Sequence, residues 1–210
     1  MKPFNIVRSR VVPLDISNCD TDQIVPGRFL SRTRSAGFSE QLFHDLRYES
    51  GRKRPEFPMN RPEFSGAELI VAGANFACGS SRESAVWALV DSGIRAVLAP
   101  SFGDIFFGNA FKNGLLPVQL PAVEVERIMH AAQAHPEQEL EIDLPNQDIR
   151  CGDGSTLRFD IDALRKQMLR QGVDEITFTL THECELAAFE RGYDARQPWL
   201  AAATRAVAAR

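Results

Sequence analysis

Apolar and polar positions alternate along this chain in two rhythms. From Asn5 to Leu14 the alternation is loose, with Val11, Val12 and Leu14 apolar, and Leu69 to Ala72 is an unbroken apolar run bounded by Gly73. Both predict strands, the second a buried one. After a polar turn, Ala85, Val86, Leu89 and Val90 return at helical spacing until Gly93. Ser80 followed by Glu83 has the form of a capping box, which puts the helix start at or beside Ser80-Ser81. Ile94 to Ala99, ended by Pro100, is a second apolar strand. Strand, helix and strand together predict a βαβ unit whose parallel strands are joined by a right-handed crossover.

The rhythm continues downstream. Ser101 to Asn113 carries Ile105, Phe106, Ala110 and Phe111 at near-helical spacing and closes at Gly114. Leu115 to Leu120 predicts a strand, and Pro121 to His135 an amphipathic helix with His130 and His135 on its surface. Leu140 to Leu144 and Leu157 to Ile161 alternate cleanly around Asn146 to Cys151, which predicts a small antiparallel meander. Asp162 is placed to cap a helix ending at Gln171, with Gly172 as its stop. Ile176 to Leu180 alternates as a strand would, and Thr181 stands at the head of a last helix through Arg191. The tail from residue 195, alanine-rich from Ala201 to Arg210, is expected to fray. With no repeat or linker, the expectation is one α/β domain over 1–210, a mixed sheet flanked by helices.

Two stretches fit neither rhythm. Gly27 to Arg34 packs Arg28, Arg32 and Arg34 into a predicted loop, and residues 49–66, rich in proline and charge, read as a long surface loop. The 210 residues carry 44% hydrophobic and 25% charged side chains and a net charge of −4, the profile of an ordinary globular protein without the basic stripe a nucleic-acid binder needs. Cys19, Cys78, Cys151 and Cys184 lie far apart without a Cys-x-x-Cys pair, so no zinc or iron–sulfur site is legible. No apolar run reaches the ~20 residues of a membrane span, and no signal-peptide pattern opens the chain. A cytoplasmic location is expected.

The turn between the Leu69 strand and its helix holds the densest chemistry. A helix start offers unpaired N–H groups and the positive end of the macrodipole, and Arg82 adds a guanidinium that can meet a carboxylate with two parallel bonds. On spacing alone the simpler reading of these residues is a helix cap and a solvated surface charge.

Resemblance sharpens the choice. Asn75-Phe76-Ala77-Cys78-Gly79-Ser80-Ser81-Arg82-Glu83, then Ala99-Pro100-Ser101-Phe102-Gly103-Asp104-Ile105-Phe106 and Asn113-Gly114-Leu115-Leu116-Pro117, resemble the small-subunit family of 3-isopropylmalate dehydratase. That family corresponds to the swivel domain of the aconitase superfamily. Val12-Pro13-Leu14-Asp15, Asp20-Thr21-Asp22-Gln23-Ile24-Val25-Pro26, Gly37-Phe38 and Leu42-Phe43 fit the same pattern in the same order, so the likeness spans residues 8 to 193. It implies a swivelling β/α fold and a hydro-lyase that isomerises 2-isopropylmalate to 3-isopropylmalate in leucine biosynthesis. It also implies a large-subunit partner that brings a [4Fe-4S] cluster, with no cofactor in this chain. Ser80 then stands at the catalytic serine. Asp22, Ser81 and Arg82 stand at positions that bind the 2-hydroxy diacid. Arg28, Phe29, Leu30, Ser31 and Arg32 form a loop expected to read the part of the substrate that differs between relatives.

Some residues depart from the family. Ser84 replaces a His two residues after Arg82, and Ala77 and Val86 replace commoner Gly and Pro. A methylmalate- or citraconate-type hydratase is therefore the nearest alternative. Two further classes compete: a Cys78-dependent hydrolase, its thiolate favoured near a helix start, and a phosphate cradle, for which neither glycine-rich nucleotide motif is present.

Overall fold

The computed structural model describes residues 1–199 apart from Arg32 and Ser81. The strands are β1 (Ile6–Leu14), β2 (Tyr48–Glu49), β3 (Arg52–Lys53), β4 (Leu69–Ala72), β5 (Ala96–Ala99), β6 (Leu116–Gln119), β7 (Glu139–Asp143), β8 (Asp148–Arg150) and β9 (Thr156–Arg158). The helices are α1 (Thr21–Ile24), α2 (His44–Arg47), α3 (Glu83–Asp91), α4 (Asp104–Lys112), α5 (Ala122–Ala134), α6 (Ala163–Gln171), α7 (Glu175–Leu180) and α8 (Glu183–Arg196). Contacts group the chain into two compact units, Met1–Gly172 and Val173–Arg210.

In the first unit a sheet of order β6-β5-β4-β1-β7-β8-β9 joins a parallel half to an antiparallel half. Val11 lies opposite Leu69 and Leu14 opposite Ala72 in the parallel β1–β4 pair, and Leu69 lies opposite Ala96 in β4–β5. β7 runs antiparallel to β1, with Ser9 opposite Leu140, and β8 and β9 complete the expected meander. This is the mixed α/β sheet that the hydrophobic rhythm predicts.

Alternation along the central strands sends side chains to two cores. Val12, Leu14, Ile70, Ala72, Val97 and Ala99 pack with Ala85 and Leu89 of α3 and Ala110 of α4. Val11, Leu69, Val71, Ala96 and Leu98 pack with Val125, Ile128 and Met129 of α5. All four residues of β4 and all four of β5 are buried, so these strands are apolar throughout and are fixed by burial on both faces. Each fully buried Leu or Ile side chain contributes about 1.5–3 kcal/mol. The parallel strands β1, β4 and β5 end together, and the segments after Leu14, Ala72 and Ala99 meet at one edge of the sheet, where open α/β sheets hold their ligands.

Several local expectations are corrected. The Ser80–Glu83 capping box does not form: Arg82 is the N-cap of α3, and Glu83 instead accepts from Asn113 Nδ2 at 2.9 Å. A capping box does form at Asp20, whose carboxylate accepts from Gln23 N while Gln23 Oε1 accepts from Asp20 N. Ile176 to Leu180 lies in helix, not strand. Asp174 Oδ1 accepts from Thr177 N at 2.6 Å and Thr179 Oγ1 donates to Glu175 O at 2.8 Å, so local capping overrides the β-branched alternation. The following helix begins at Glu183 with His182 as its N-cap, so Thr181 does not cap it. The long loop holds the hairpin β2–β3, and Asn60 Nδ2 ties it by donating to Arg47 O and Arg54 O. The tail from Leu200 lies outside the described residues.

Candidate active site

The turn after β4 owes its shape to three residues with left-handed backbone, Asn75 (φ 58°), Ala77 (φ 57°) and Gly79 (φ 84°). Gly79 meets this requirement without strain, whereas Ala77 carries a Cβ where glycine would be easier. Phe76, between the first two, points inward and is fully buried, with the rings of Phe106 at 5.5 Å and Phe102 at 6.3 Å. Its N–H donates to Ser101 O at 3.0 Å and its carbonyl accepts from Gly103 N at 2.9 Å. The segments after β4 and β5 are thus stitched together. Gly103 has no side chain because a Cβ there would collide with the Ala77 carbonyl.

From the other side, α1 grips the same turn at alternate residues. Thr21 N donates to Cys78 O at 3.1 Å, Thr21 Oγ1 donates to Ser80 O at 2.7 Å, and the Asp22 carboxylate pairs with Arg82. Asp20 and Cys78 form an isolated parallel bridge beside these bonds. Thr21 is buried, so its contacts are shielded from competing water, while Asp22 and Ser80 are exposed.

The structure brings together three of the residues singled out in the sequence. Ser80 lies on the exposed crest of the turn, and among the described residues its hydroxyl has no hydrogen-bond partner. Arg82, two residues on, has a side chain 23% exposed, tied by one guanidinium nitrogen to Asp22. Gly27, the first residue of the arginine-rich loop, abuts this pair: a Cβ there would lie 3.2 Å from Asp22 Oδ1 and 3.5 Å from Arg82 Nη1. Ser81 and Arg32 lie outside the described residues.

Arg28 makes a forked pair with Asp45, lies within 3.2 Å of His44 Nδ1, and stacks over the Phe29 ring at 4.6 Å. The Arg28 guanidinium holds the Asp45 carboxyl down to about 2. Leu30 and Ser31 are exposed.

A cleft of about 330 Å³ opens beside the turn. Thr21, Asn75 and Arg82 give it polar groups, and Phe102, Ile105 and Phe106 give it an apolar wall. Asp104 also lines it, at the first turn of α4. The sequence pattern did not single out Asn75, Phe102 or Ile105 for the site, because they meet only when two loops converge. Thr21 was legible only as the middle of Asp-Thr-Asp.

The cysteines divide by environment. Cys19 is fully buried, and desolvation pushes its thiol up to about 12. Cys78 lines the cleft and its Sγ donates to Asn18 O at 3.5 Å. No histidine, the usual partner of a nucleophilic cysteine, is among the described residues lining the cleft with Cys78. Ser84, where the resembling family has His, is buried on α3 and does not line the cleft. Its hydroxyl has no partner among the described residues. No group of three or more His, Cys, Asp or Glu residues among those described could hold a metal ion, and no described helix is long and apolar enough to cross a membrane.

Family models match along most of the chain. Residues 1–123 match the Aconitase C-terminal domain, 126–163 match LeuD_N, and 175–203 match the C-terminal domain of the 3-isopropylmalate dehydratase small subunit. Curated relatives named 3-isopropylmalate dehydratase small subunit include one from Parvibaculum lavamentivorans, 44% identical over 95% of this chain and 100% of the relative. Another, from Geobacillus kaustophilus, is 47% identical over 91% of this chain and 97% of its own length. The chain belongs to the 3-isopropylmalate dehydratase small-subunit family, a family of hydro-lyases. A crystal structure of 3-isopropylmalate dehydratase from Methanocaldococcus jannaschii shares the fold, with a TM-score of 0.63 and 27% identity, covering 87% of this chain and 98% of that one. The match to the aconitase-type model takes in β1, α1, β4, α3, β5 and α4, the elements that build the cleft and the clamped turn.

Proposed function

We propose that this protein works as half of a heteromeric enzyme, in which it supplies the base and the carboxylate-binding groups that interconvert 2-isopropylmalate and 3-isopropylmalate for leucine biosynthesis. The observation that carries this reading is the clamped turn: a serine hydroxyl without a partner among the described residues, and an arginine fork, at the carboxyl ends of parallel strands in a chain of this family.

Dehydration removes a proton from the carbon beside a carboxylate while the C–O bond breaks and a carbon–carbon double bond forms; adding water back with the positions exchanged gives the isomer. Ser80 Oγ takes the proton. A serine alkoxide is costly on its own, and the nearby Arg82 charge and turn N–H groups lower that cost. α3 starts at Glu83, so its macrodipole acts on Ser80 from beyond the first turn and the guanidinium carries more of the effect. Arg82 has donors left over once Asp22 has taken one nitrogen, and these meet a substrate carboxylate. Asp22 orients that fork, Ser81 adds a polar group at the same turn, and the loop from Arg28 through Phe29, Leu30, Ser31 and Arg32 reads the substituent on the diacid.

The departing hydroxyl needs a Lewis acid. No described residue cluster in this chain fits one, and we assign the role to a [4Fe-4S] cluster on a large subunit in the cytoplasm. Substrate, large subunit and cluster are the partners of this reading; nucleic acid and membrane are not. Ser84 is buried on α3, so on this reading it does not reach the diacid, and 2-isopropylmalate is taken over a methylmalate-type substrate.

The purified chain should show no turnover and no iron–sulfur absorbance alone, and should gain isomerase activity when mixed with a cluster-loaded large subunit. Turnover by the chain alone, without iron, would contradict the half-enzyme reading.

A further inference from the structure

We infer that Thr21 is the positioning residue for Ser80, through its hydroxyl. The inference rests on the reading of Ser80 as the base. Thr21 is buried, with 3% of its surface exposed, yet it spends its one hydroxyl proton on the carbonyl of a residue 59 positions away, Ser80 O at 2.7 Å. Its own N–H donates to Cys78 O at 3.1 Å, two residues earlier in the turn. One residue therefore holds both ends of the Cys78-Gly79-Ser80 segment. That segment has a left-handed glycine at its centre and would otherwise be free to swing.

Thr21 is itself held firmly. The reciprocal Asp20–Gln23 bonds fix the start of α1, and the neighbouring Ile24 and Val25 are fully buried. Fixing the Ser80 carbonyl fixes the Cα–Cβ direction and hence where Oγ can reach. A proton transfer tolerates little misplacement, and an error of about 1 Å can cost about 100-fold in rate. Thr21 touches no reacting atom on this reading, so its effect should fall on kcat through Ser80 geometry.

The test uses Thr21→Val, Thr21→Ser and Ser80→Ala in the small subunit assembled with the cluster-loaded large subunit. Thr21→Val keeps the shape and removes the hydroxyl; Thr21→Ser keeps the hydroxyl and removes a methyl group. Thr21→Val should lower kcat by about 100-fold with KM within about twofold of wild type. Thr21→Ser should restore most of kcat even though it gives up packing. Wild-type kcat in Thr21→Val, a loss confined to KM or to affinity for the large subunit, or equal losses in both Thr21 variants would overturn the positioning role. If Thr21→Val does not fold, Thr21→Ala against Thr21→Ser carries the same decision. A fully active Ser80→Ala would show that the serine-base reading has failed, and is read separately.

Discussion

The turn that carries Ser80 and the loop that carries Arg28 meet at the Asp22–Arg82 pair, but they are held by different kinds of bond. The turn is fixed through backbone groups to buried or half-buried partners: Phe76 to Ser101 and Gly103, and Cys78 and Ser80 to Thr21. The loop is fixed through charged side chains, exposed in the Arg28–Asp45 pair at its start and half-buried at Asp91, the partner of Arg34, at its end. Asp91 also accepts from Phe38 N at 2.8 Å, and Arg34 lies over the Trp87 ring at 5.4 Å. Exposed ion pairs contribute about 0–1 kcal/mol and exchange readily with water, whereas buried backbone bonds are costly to break. On the proposed function, this division keeps the chemistry fixed while selectivity varies.

Substitutions can break or sharpen that contrast. The largest effect should come from Ser80→Ala, which is expected to lower kcat of the assembled enzyme by about 100- to 10,000-fold, the range of general-base catalysis, with folding unchanged. Cys78→Ala should keep most of the activity in the same assay, because dehydration has no covalent step for a thiol. A dead Cys78→Ala beside an active Ser80→Ala would reverse the assignment.

Next in size is Arg82→Lys. Lysine keeps the charge and loses the fork, so KM should rise about tenfold with a smaller change in kcat, measured by steady-state kinetics on the assembled enzyme.

Loosening the loop should act more gently. Asp45→Ala or Asp91→Ala should change the kcat/KM ratio between two 2-hydroxy diacids by less than about fivefold and leave the better substrate's kcat nearly constant. The Asp45 carboxyl is depressed, so its contribution is present above the ordinary aspartate value of about 3.9. That contribution is lost as pH falls toward about 2. The Asp45→Ala effect should therefore be flat from pH 5 to 8. A pH-dependent effect in that window would contradict this account of the Arg28–Asp45 pair.

The smallest effect concerns strain within the turn. Ala77→Gly relieves a left-handed alanine at some entropic cost in the unfolded chain, for a net gain of about 0.5–1 kcal/mol in denaturant unfolding. A loss of stability would mean that the Ala77 methyl group packs usefully, since this residue is 4% exposed.

What the sequence made legible follows from what is local. β4, β5 and the helices from α4 to α6 follow from unbroken apolar runs or helical spacing, and the Asp162 cap and Gly172 stop are where those residue types predict them. The family motifs single out Ser80, Arg82 and Asp22, which the fold brings to one turn and the helix beside it. Local pattern failed where a tertiary bond competed: Glu83 looks like the far half of a capping box, but Asn113 claims its carboxylate. It failed again at Ile176 to Leu180, where alternation without a neighbouring strand gave way to the Asp174 cap. The grip of Thr21 on Ser80 spans 59 residues and leaves no trace in spacing.

The contrast between the two regions is tested most directly by amide hydrogen exchange on the folded small subunit, residue by residue. The Thr21, Phe76 and Gly103 amides, which donate across the clamped turn, should exchange at least about 100-fold more slowly than those of Leu30 and Gly37, whose bonds stay within the loop. Equal protection in the two sets, or faster exchange at Thr21 than at Leu30, would contradict a fixed turn beside an adjustable loop.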